Sequence, residues 1–384
     1  MTVFKVGTKS EIIFGEGARH ELIPLVAKHP SPHVLLIASA SALQRAQIKA
    51  TCEALIGVAD VRIWDRVTPN PRCSDIDACR QAFVGMTFSH VVGIGGGSAM
   101  DQAKATAMAL HCHANMADLL TRQSPLPSRT NTLILLPTTS GTGAELSYGA
   151  ILTNDATGEK LGLRGANNAA DYALVDPGLT YGLSQQDSMT TGFDALTHAI
   201  ETWLSSAASP YTKDLSRGAI KRVFQWLPVV KRDPLNAEAR REMAYASMMM
   251  GVNLALSTTC MPHRLQYPIG AATDTAHAAG LAAIYPAWLD HALPFASSRL
   301  AECADWIGVA AGQSEAERAA AFVASVKTLQ SQIDLTPSLT DLGVTEDMVV
   351  RFPQEVSGRL DTDPSYRSHE DIAAIYQKAF HARG

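Results

Sequence analysis

A chain of 384 residues is too long for one ordinary hydrophobic core, so two domains are expected. Its 46% hydrophobic and 18% charged residues fit a well-buried enzyme and exclude a disordered or fibrous protein. A formal net charge of -5 with no dense Lys/Arg cluster argues against a nucleic-acid partner, and no apolar run reaches the length of a membrane span.

The N-terminus Met1-Thr2-Val3-Phe4-Lys5 lacks a signal-peptide pattern. Cys52, Cys73, Cys79, Cys112, Cys260 and Cys303 are scattered and form no CxxC pair, so they read as reduced thiols of a cytoplasmic protein. The first half then alternates apolar runs of strand type with helical stretches. Residues 34–38 read as a strand, 42–55 as a helix and 61–64 as the next strand. Val67-Thr68-Pro69-Asn70-Pro71 makes a turn, and a helix near 74–84 leads to a buried strand at 90–94. This rhythm predicts an α/β domain with a mostly parallel sheet and helices on both faces.

The strand at 90–94 runs into Gly95-Gly96-Gly97-Ser98-Ala99-Met100-Asp101-Gln102-Ala103-Lys104. Glycines at a strand-to-helix junction let the backbone approach an anion, and the free N–H groups of the helix start favour phosphate. The string is neither GxGxxG nor a Walker loop. A strand at 132–137 ends in Thr138-Thr139-Ser140-Gly141-Thr142-Gly143-Ala144-Glu145, and such loops at the carboxyl ends of strands are where open α/β sheets hold ligands.

Beyond about Leu183 strand-like runs vanish, and helical segments are expected near 209–232, 236–257, 279–292, 296–311, 315–333 and 368–380. The boundary falls near residue 182, after a candidate hinge at Asp176-Pro177-Gly178, dividing a domain 1–182 from an all-helical domain 183–384. The methionines from Met243 to Met250 read as adaptable core packing. Residues 187–191 read as N-capping residues ahead of a helix that carries Asp194 and His198 four apart, hence on one face. His263 and His277 follow some sixty residues later and more. One carboxylate and three imidazoles can hold a divalent metal such as zinc or iron if the fold brings them together.

The strings at 95–104 and 138–145, Asp176-Pro177, and Thr191-Gly192-Phe193-Asp194-Ala195-Leu196-Thr197-His198-Ala199-Ile200-Glu201 resemble the iron-containing (group III) alcohol dehydrogenases over nearly the whole chain. The resemblance implies a dinucleotide-binding α/β domain, a helical C-terminal domain, and metal and nicotinamide in the cleft between them. It puts Asp194, His198, His263 and His277 at the four metal-ligand positions, for Fe2+ or Zn2+. Gly96, Gly97 and Ser98, with Gly95 ahead of them, match the pyrophosphate loop; Thr138, Thr139 and Thr142 match the loop beside the riboses. Lys160 falls where a lysine faces the nicotinamide ribose, and Asn70 is counted with the cofactor-binding residues. The implied activity is NAD(P)-linked interconversion of a small alcohol and its aldehyde by a homodimer, with the metal as Lewis acid and the nicotinamide as hydride carrier.

Three departures from the family pattern carry information. Tyr267 stands where many members have a histidine before proline, and a tyrosine there is a candidate relay for the alcohol proton. Around His277 the chain has Ala276-His277-Ala278 in place of Pro-His-Gly. Ser39 replaces the aspartate that favours NAD, which leaves room for a 2′-phosphate that Arg45 or Lys49 would neutralise, so NADP(H) is favoured over NAD(H). Alternatives are a glycerol dehydrogenase-like or maleylacetate reductase-like member of the superfamily, and a non-catalytic metal- or nucleotide-binding protein.

Overall fold

The computed structural model describes residues 3–309 and 314–382. The chain divides into one unit spanning Gly7–Ser184 and a second that runs from Gln185 onward and includes residues 3–6.

In the first unit six strands, β1 (Glu11–Phe14), β2 (His33–Ile37), β3 (Asp60–Trp64), β4 (His90–Gly95), β5 (Thr132–Pro137) and, after the hairpin below, β8 (Tyr172–Val175), form a sheet in the order β1-β8-β5-β4-β2-β3. Every pairing in it is parallel. Strands β6 (Gly149–Thr153) and β7 (Lys160–Arg164) make a separate antiparallel pair. The helices α1 (Leu22–Ala27), α2 (Ala40–Leu43), α3 (Ala46–Ile56), α4 (Cys73–Ala82), α5 (Gly97–Ala109) and α6 (Met116–Leu120) connect the strands.

The central strands are continuous apolar runs because both of their faces are covered. Val34 and Leu36 pack with Leu22 and Ile48 on one side, while Leu35 and Ile37 pack with Met100 and Leu133 on the other. The expected helix over 42–55 is interrupted. Ser39 caps α2, and Arg45 is extended (φ -72°, ψ 132°), so α3 starts afresh at Ala46. Asp176 is a fixed point within this unit, pairing with Arg19 at 2.6 Å and accepting from Gly178 N at 2.9 Å.

The second unit consists of α7 (Gln185–Leu204), α8 (Pro210–Arg232), α9 (Ala237–Leu256), α10 (Met261–Thr273), α11 (His277–Ile307), α12 (Glu315–Gln332), α13 (Glu346–Glu355) and α14 (His369–His381). Phe193, Leu196 and Ile200 of α7 lie in one core with Tyr285, Trp288 and Leu289 of α11, and Met243 and Met250 are buried in it. Each such side chain contributes about 1.5–3 kcal/mol when fully buried. Residues 187–191 do not precede α7 but form its early turns, because the helix already begins at Gln185. The two helices expected near 279–292 and 296–311 are joined across a kink at Ala296 (φ -127°, ψ 19°), two residues after Pro294 removes a backbone donor. Residues 310 and 311 of the second expectation lie outside the described residues.

Candidate active site

Asp194 and His198 sit on the buried middle of α7, one turn apart. His263 enters from the first turn of α10, and His277 is the first residue of α11. A left-handed turn at Asp274 (φ 53°) ends α10 and lets the next helix start back toward the same point. The result is a cluster around one carboxylate oxygen. Asp194 Oδ1 lies 3.7 Å from His198 Nδ1, 3.7 Å from His263 Nε2 and 4.0 Å from His277 Nε2. Asp194, His263 and His277 each offer a donor atom within 4.8 Å of the other two.

These distances suit a shared cation better than direct hydrogen bonds. A tetrahedral ion about 2.0–2.2 Å from each donor spaces its ligands roughly 3.5 Å apart. Asp194 Oδ1 and His263 Nε2 are buried and accept or donate no hydrogen bond among the described residues, which is costly unless something else satisfies them. The donor set therefore fits a divalent metal. Burial alone would raise the Asp194 carboxyl, but the three imidazoles outweigh it and hold the group well below the usual carboxylate range. For His263 burial works downward, and Glu201 with Asp194 overcomes it, bringing the imidazole up to about 10. As a metal ligand His263 would have to give up that proton.

The residues behind the cluster orient it. Glu201, seven positions after Asp194 on the same helix face, places Oε1 2.7 Å from His263 Nδ1 and accepts from Cys260 N through Oε2 at 3.0 Å. With Nδ1–H donating to Glu201, Nε2 keeps its lone pair for a metal. Gln266 Oε1 does the same for His277 Nδ1 at 2.5 Å. In the sequence Glu201 stands out only as part of a motif, and Gln266 not at all. The i, i+7 spacing was the signal for Glu201; for Gln266 there was none. The ring of Tyr267 stands 6.4 Å from that of His277, and its hydroxyl accepts from Arg264 at 3.3 Å.

In the first unit the glycine string is a junction under close contact. Gly95 ends β4 at φ +157°, where a Cβ would meet Ala99 Cβ at 2.6 Å, and Gly96 caps α5. A Cβ on Gly97 would lie 2.9 Å from Thr142, and one on Gly96 3.2 Å from Thr139, so the loop 138–145 packs onto the glycines. Thr138 N donates to Gly95 O at 2.8 Å. The first N–H groups of α5, from Gly97 and Ser98, have no partner within the helix, an arrangement suited to receiving an anion. Beneath it Lys104, fully buried, donates to Gly149 O at 2.6 Å and pairs with Asp101 at 3.2 Å, while Asp101 accepts from Ile151 N at 3.1 Å. Burial also pushes the Glu145 carboxyl up to about 7.

Lys160 and Asn70 meet across ninety residues of chain: Lys160 Nζ donates to Asn70 Oδ1 at 2.9 Å, beside the extended β6–β7 pair. Ser39 caps α2, accepting from Ala42 N at 3.2 Å, and its backbone bridges to Arg66. The Arg45 side chain packs on Gly182, and Lys49 lies 4.0 Å from Glu53 on the surface. Arg66, paired to Ser39 through the backbone, holds its guanidinium over the Trp64 ring, 5.3 Å from the centroid.

Comparison with known proteins gives a consistent result. Residues 9–177 match the family described as iron-containing alcohol dehydrogenase, and residues 188–380 match its C-terminal domain family. The chain is 30% identical over 328 residues to a long-chain primary alcohol dehydrogenase of Thermoanaerobacter ethanolicus, covering 83% of this chain and 81% of that one. The solved structure of a 1,3-propanediol oxidoreductase superposes with TM-score 0.91 at 25% identity, covering 99% of this chain and 100% of that one. A sulfoacetaldehyde reductase of Bifidobacterium kashiwanohense in complex with NAD+ superposes with TM-score 0.89 at 25% identity, each chain covered completely at 100%.

Proposed function

The chain belongs to the iron-containing alcohol dehydrogenase family, and on that premise we propose that it is a metal-dependent alcohol dehydrogenase and aldehyde reductase whose metal ligands are Asp194, His198, His263 and His277. The observation that carries the assignment is the convergence of three imidazole nitrogens on Asp194 Oδ1 at 3.7, 3.7 and 4.0 Å. When bound, the metal supplies Lewis-acid polarisation of the substrate oxygen and the nicotinamide supplies or accepts the hydride.

The chain's own residues do the rest. Glu201 and Gln266 fix the tautomers of His263 and His277. Tyr267 moves the alcohol proton at its phenolic oxygen. Gly95, Gly96, Gly97 and Ser98 seat the cofactor pyrophosphate, with Thr138, Thr139 and Thr142 beside the riboses and Lys160, steadied by Asn70, on the nicotinamide side. This reading gives dinucleotide binding to residues 1–182 and metal and substrate binding to residues 183–384.

The family binds a metal and NAD(H); the finer reading here is NADP(H), supported by the neutral Ser39 and by Arg66 bridged to it. A homodimer is supported by the exposed apolar side chains Val3, Phe4 and Val6, and a cytoplasmic setting by six free cysteines. No helix among the described residues is long and apolar enough to cross a membrane.

The test is to strip the protein with a chelator, reload it with Fe2+ or Zn2+, and follow NADPH and NADH oxidation with aldehydes. His198→Ala and His277→Ala are expected to lose both metal and activity. Full metal occupancy in either variant overturns the ligand assignment.

A further inference from the structure

Arg264 follows the candidate ligand His263 directly in sequence, and the residue is buried, at 6% exposure. Its guanidinium donates to Tyr267 Oη and to Thr258 Oγ1, both at 3.3 Å, and its Nε makes no hydrogen bond among the described residues. Two long bonds to neutral hydroxyls are poor compensation for a buried cation. The nearby carboxylates do not take it as a partner. Glu201 gives its two oxygens to His263 Nδ1 and Cys260 N. Asp363 accepts from Met261 N, Trp288 Nε1, Ser365 N and Ser365 Oγ.

The guanidinium is also held in place. It lies over the Tyr267 ring, 5.8 Å from the centroid, and Tyr267 is one helical turn after His263 on the same face. Gly358 (φ +99°) makes room for the side chain, since a Cβ there would come within 3.1 Å of Arg264 Cδ and 3.2 Å of Nε. A fixed, buried guanidinium fork with no ion pair among the described residues, beside a candidate metal ligand, is matched to a planar or tetrahedral oxyanion.

We propose that Arg264 docks an anionic substituent of the substrate, so that the enzyme acts on short aldehydes or alcohols that carry a carboxylate or sulfonate at the end remote from the reacting carbon. The proposal rests on the oxidoreductase reading above and narrows its substrate class. Tyr267 and Thr258 orient the fork through their hydroxyls, leaving its remaining N–H groups for the oxyanion.

The metal-loaded enzyme is assayed with succinic semialdehyde, sulfoacetaldehyde and the neutral butanal. Arg264→Met is expected to lower the kcat/KM ratio of an anionic aldehyde to butanal by roughly 10–100-fold, mainly through KM. Whichever anionic aldehyde loses more identifies the carboxylate or the sulfonate as the group bound. An unchanged ratio, with all three aldehydes falling together, overturns the proposal and makes Arg264 a packing residue. If Arg264→Met does not fold, Arg264→Lys keeps the charge without the fork, and the same ratio is expected to fall by about 5-fold or more; no fall overturns the proposal. Should the loaded wild type reduce no aldehyde, the oxidoreductase reading fails, and calorimetric titration with succinate and with 2-sulfoacetate decides this one separately. Binding to wild type that Arg264→Met abolishes upholds the anion site, and absence of binding to wild type overturns it.

Discussion

Glu201 Oε1 and His263 Nδ1 are 2.7 Å apart, both buried, and the carboxylate stands on the same face of α7 as Asp194 and His198. One helix thus carries two candidate ligands and the group that aims a third. Glu201→Gln keeps an acceptor for Nδ1 but removes the charge and sets an amide against Cys260 N–H. Metal affinity is expected to fall about 10–100-fold, as for other carboxylates behind a metal-bound imidazole. Competition titration of the apoprotein with Zn2+ measures this, and an unchanged Kd would show that Glu201 only fills space.

Lys160 and Asn70 were separate expectations in the sequence, and the fold joins them at 2.9 Å. If the ammonium is steadied there to meet the cofactor, Lys160→Met raises the cofactor KM by roughly 10-fold or more, the worth of a charge-assisted hydrogen bond. Metal content, held by other residues, stays as in the wild type. A cofactor KM unchanged within twofold would remove Lys160 from the cofactor-binding residues.

Ser39 offers a clean test of cofactor choice, because its hydroxyl caps α2 and aspartate is an equally good cap. Ser39→Asp should therefore fold normally and weaken NADPH use far more than NADH use, by repulsion of the 2′-phosphate. Arg66→Gln should act in the same direction. A kcat/KM ratio for the two cofactors that does not move in either variant would mean that this strand end does not face the ribose.

Glu145 is buried and its carboxyl is pushed up to about 7 from an ordinary 4.5. A folded-state pKa above the unfolded one contributes stability that is fully present below the unfolded value, about 4.5, and is lost as pH rises through about 7. Across that window the loss approaches about 3 kcal/mol. Glu145→Gln removes the titration, so the variant should gain on the wild type in denaturant midpoint between pH 5 and pH 8. A difference that stays constant over that range would mean that Glu145 is paired in the fold rather than merely desolvated.

What could be read from the chain was what is local. The strands β2, β4 and β5 are nearly contiguous apolar runs, and the glycine and threonine loops directly follow β4 and β5. Asp194 and His198 share a face by spacing alone, whereas their meeting with His263 and His277 depends on how α10 and α11 fold back. β1 and β8, four residues each, are too short to signal themselves, and Gly149 and Gly162 weaken the pattern of β6 and β7. Arg45 and Lys49 follow Ser39 closely in sequence, but the break in the helix at Arg45, whose stem packs along Gly182, is not legible there. Gln266 and Arg264 acquire meaning only through partners that the fold supplies, His277 and Tyr267.

Tyr267 is the residue on which the proton-transfer reading depends. Its ring stands 6.4 Å from His277 and its hydroxyl accepts from Arg264 at 3.3 Å, which leaves the phenolic proton free to be passed on. Tyr267→Phe keeps the ring against His277 and removes only that oxygen. A positioned acid–base group contributes about 10²–10⁴-fold, so kcat is expected to fall by at least the lower figure near neutral pH. Metal content should not change, because the phenol is not among the ligands. The measurement is made with a neutral aldehyde, so that loosening Arg264 does not enter the rate, and it is repeated from pH 6 to pH 10. If kcat stays within a few-fold of wild type while KM or substrate preference shifts, Tyr267 is a wall of the pocket and proton transfer belongs to water.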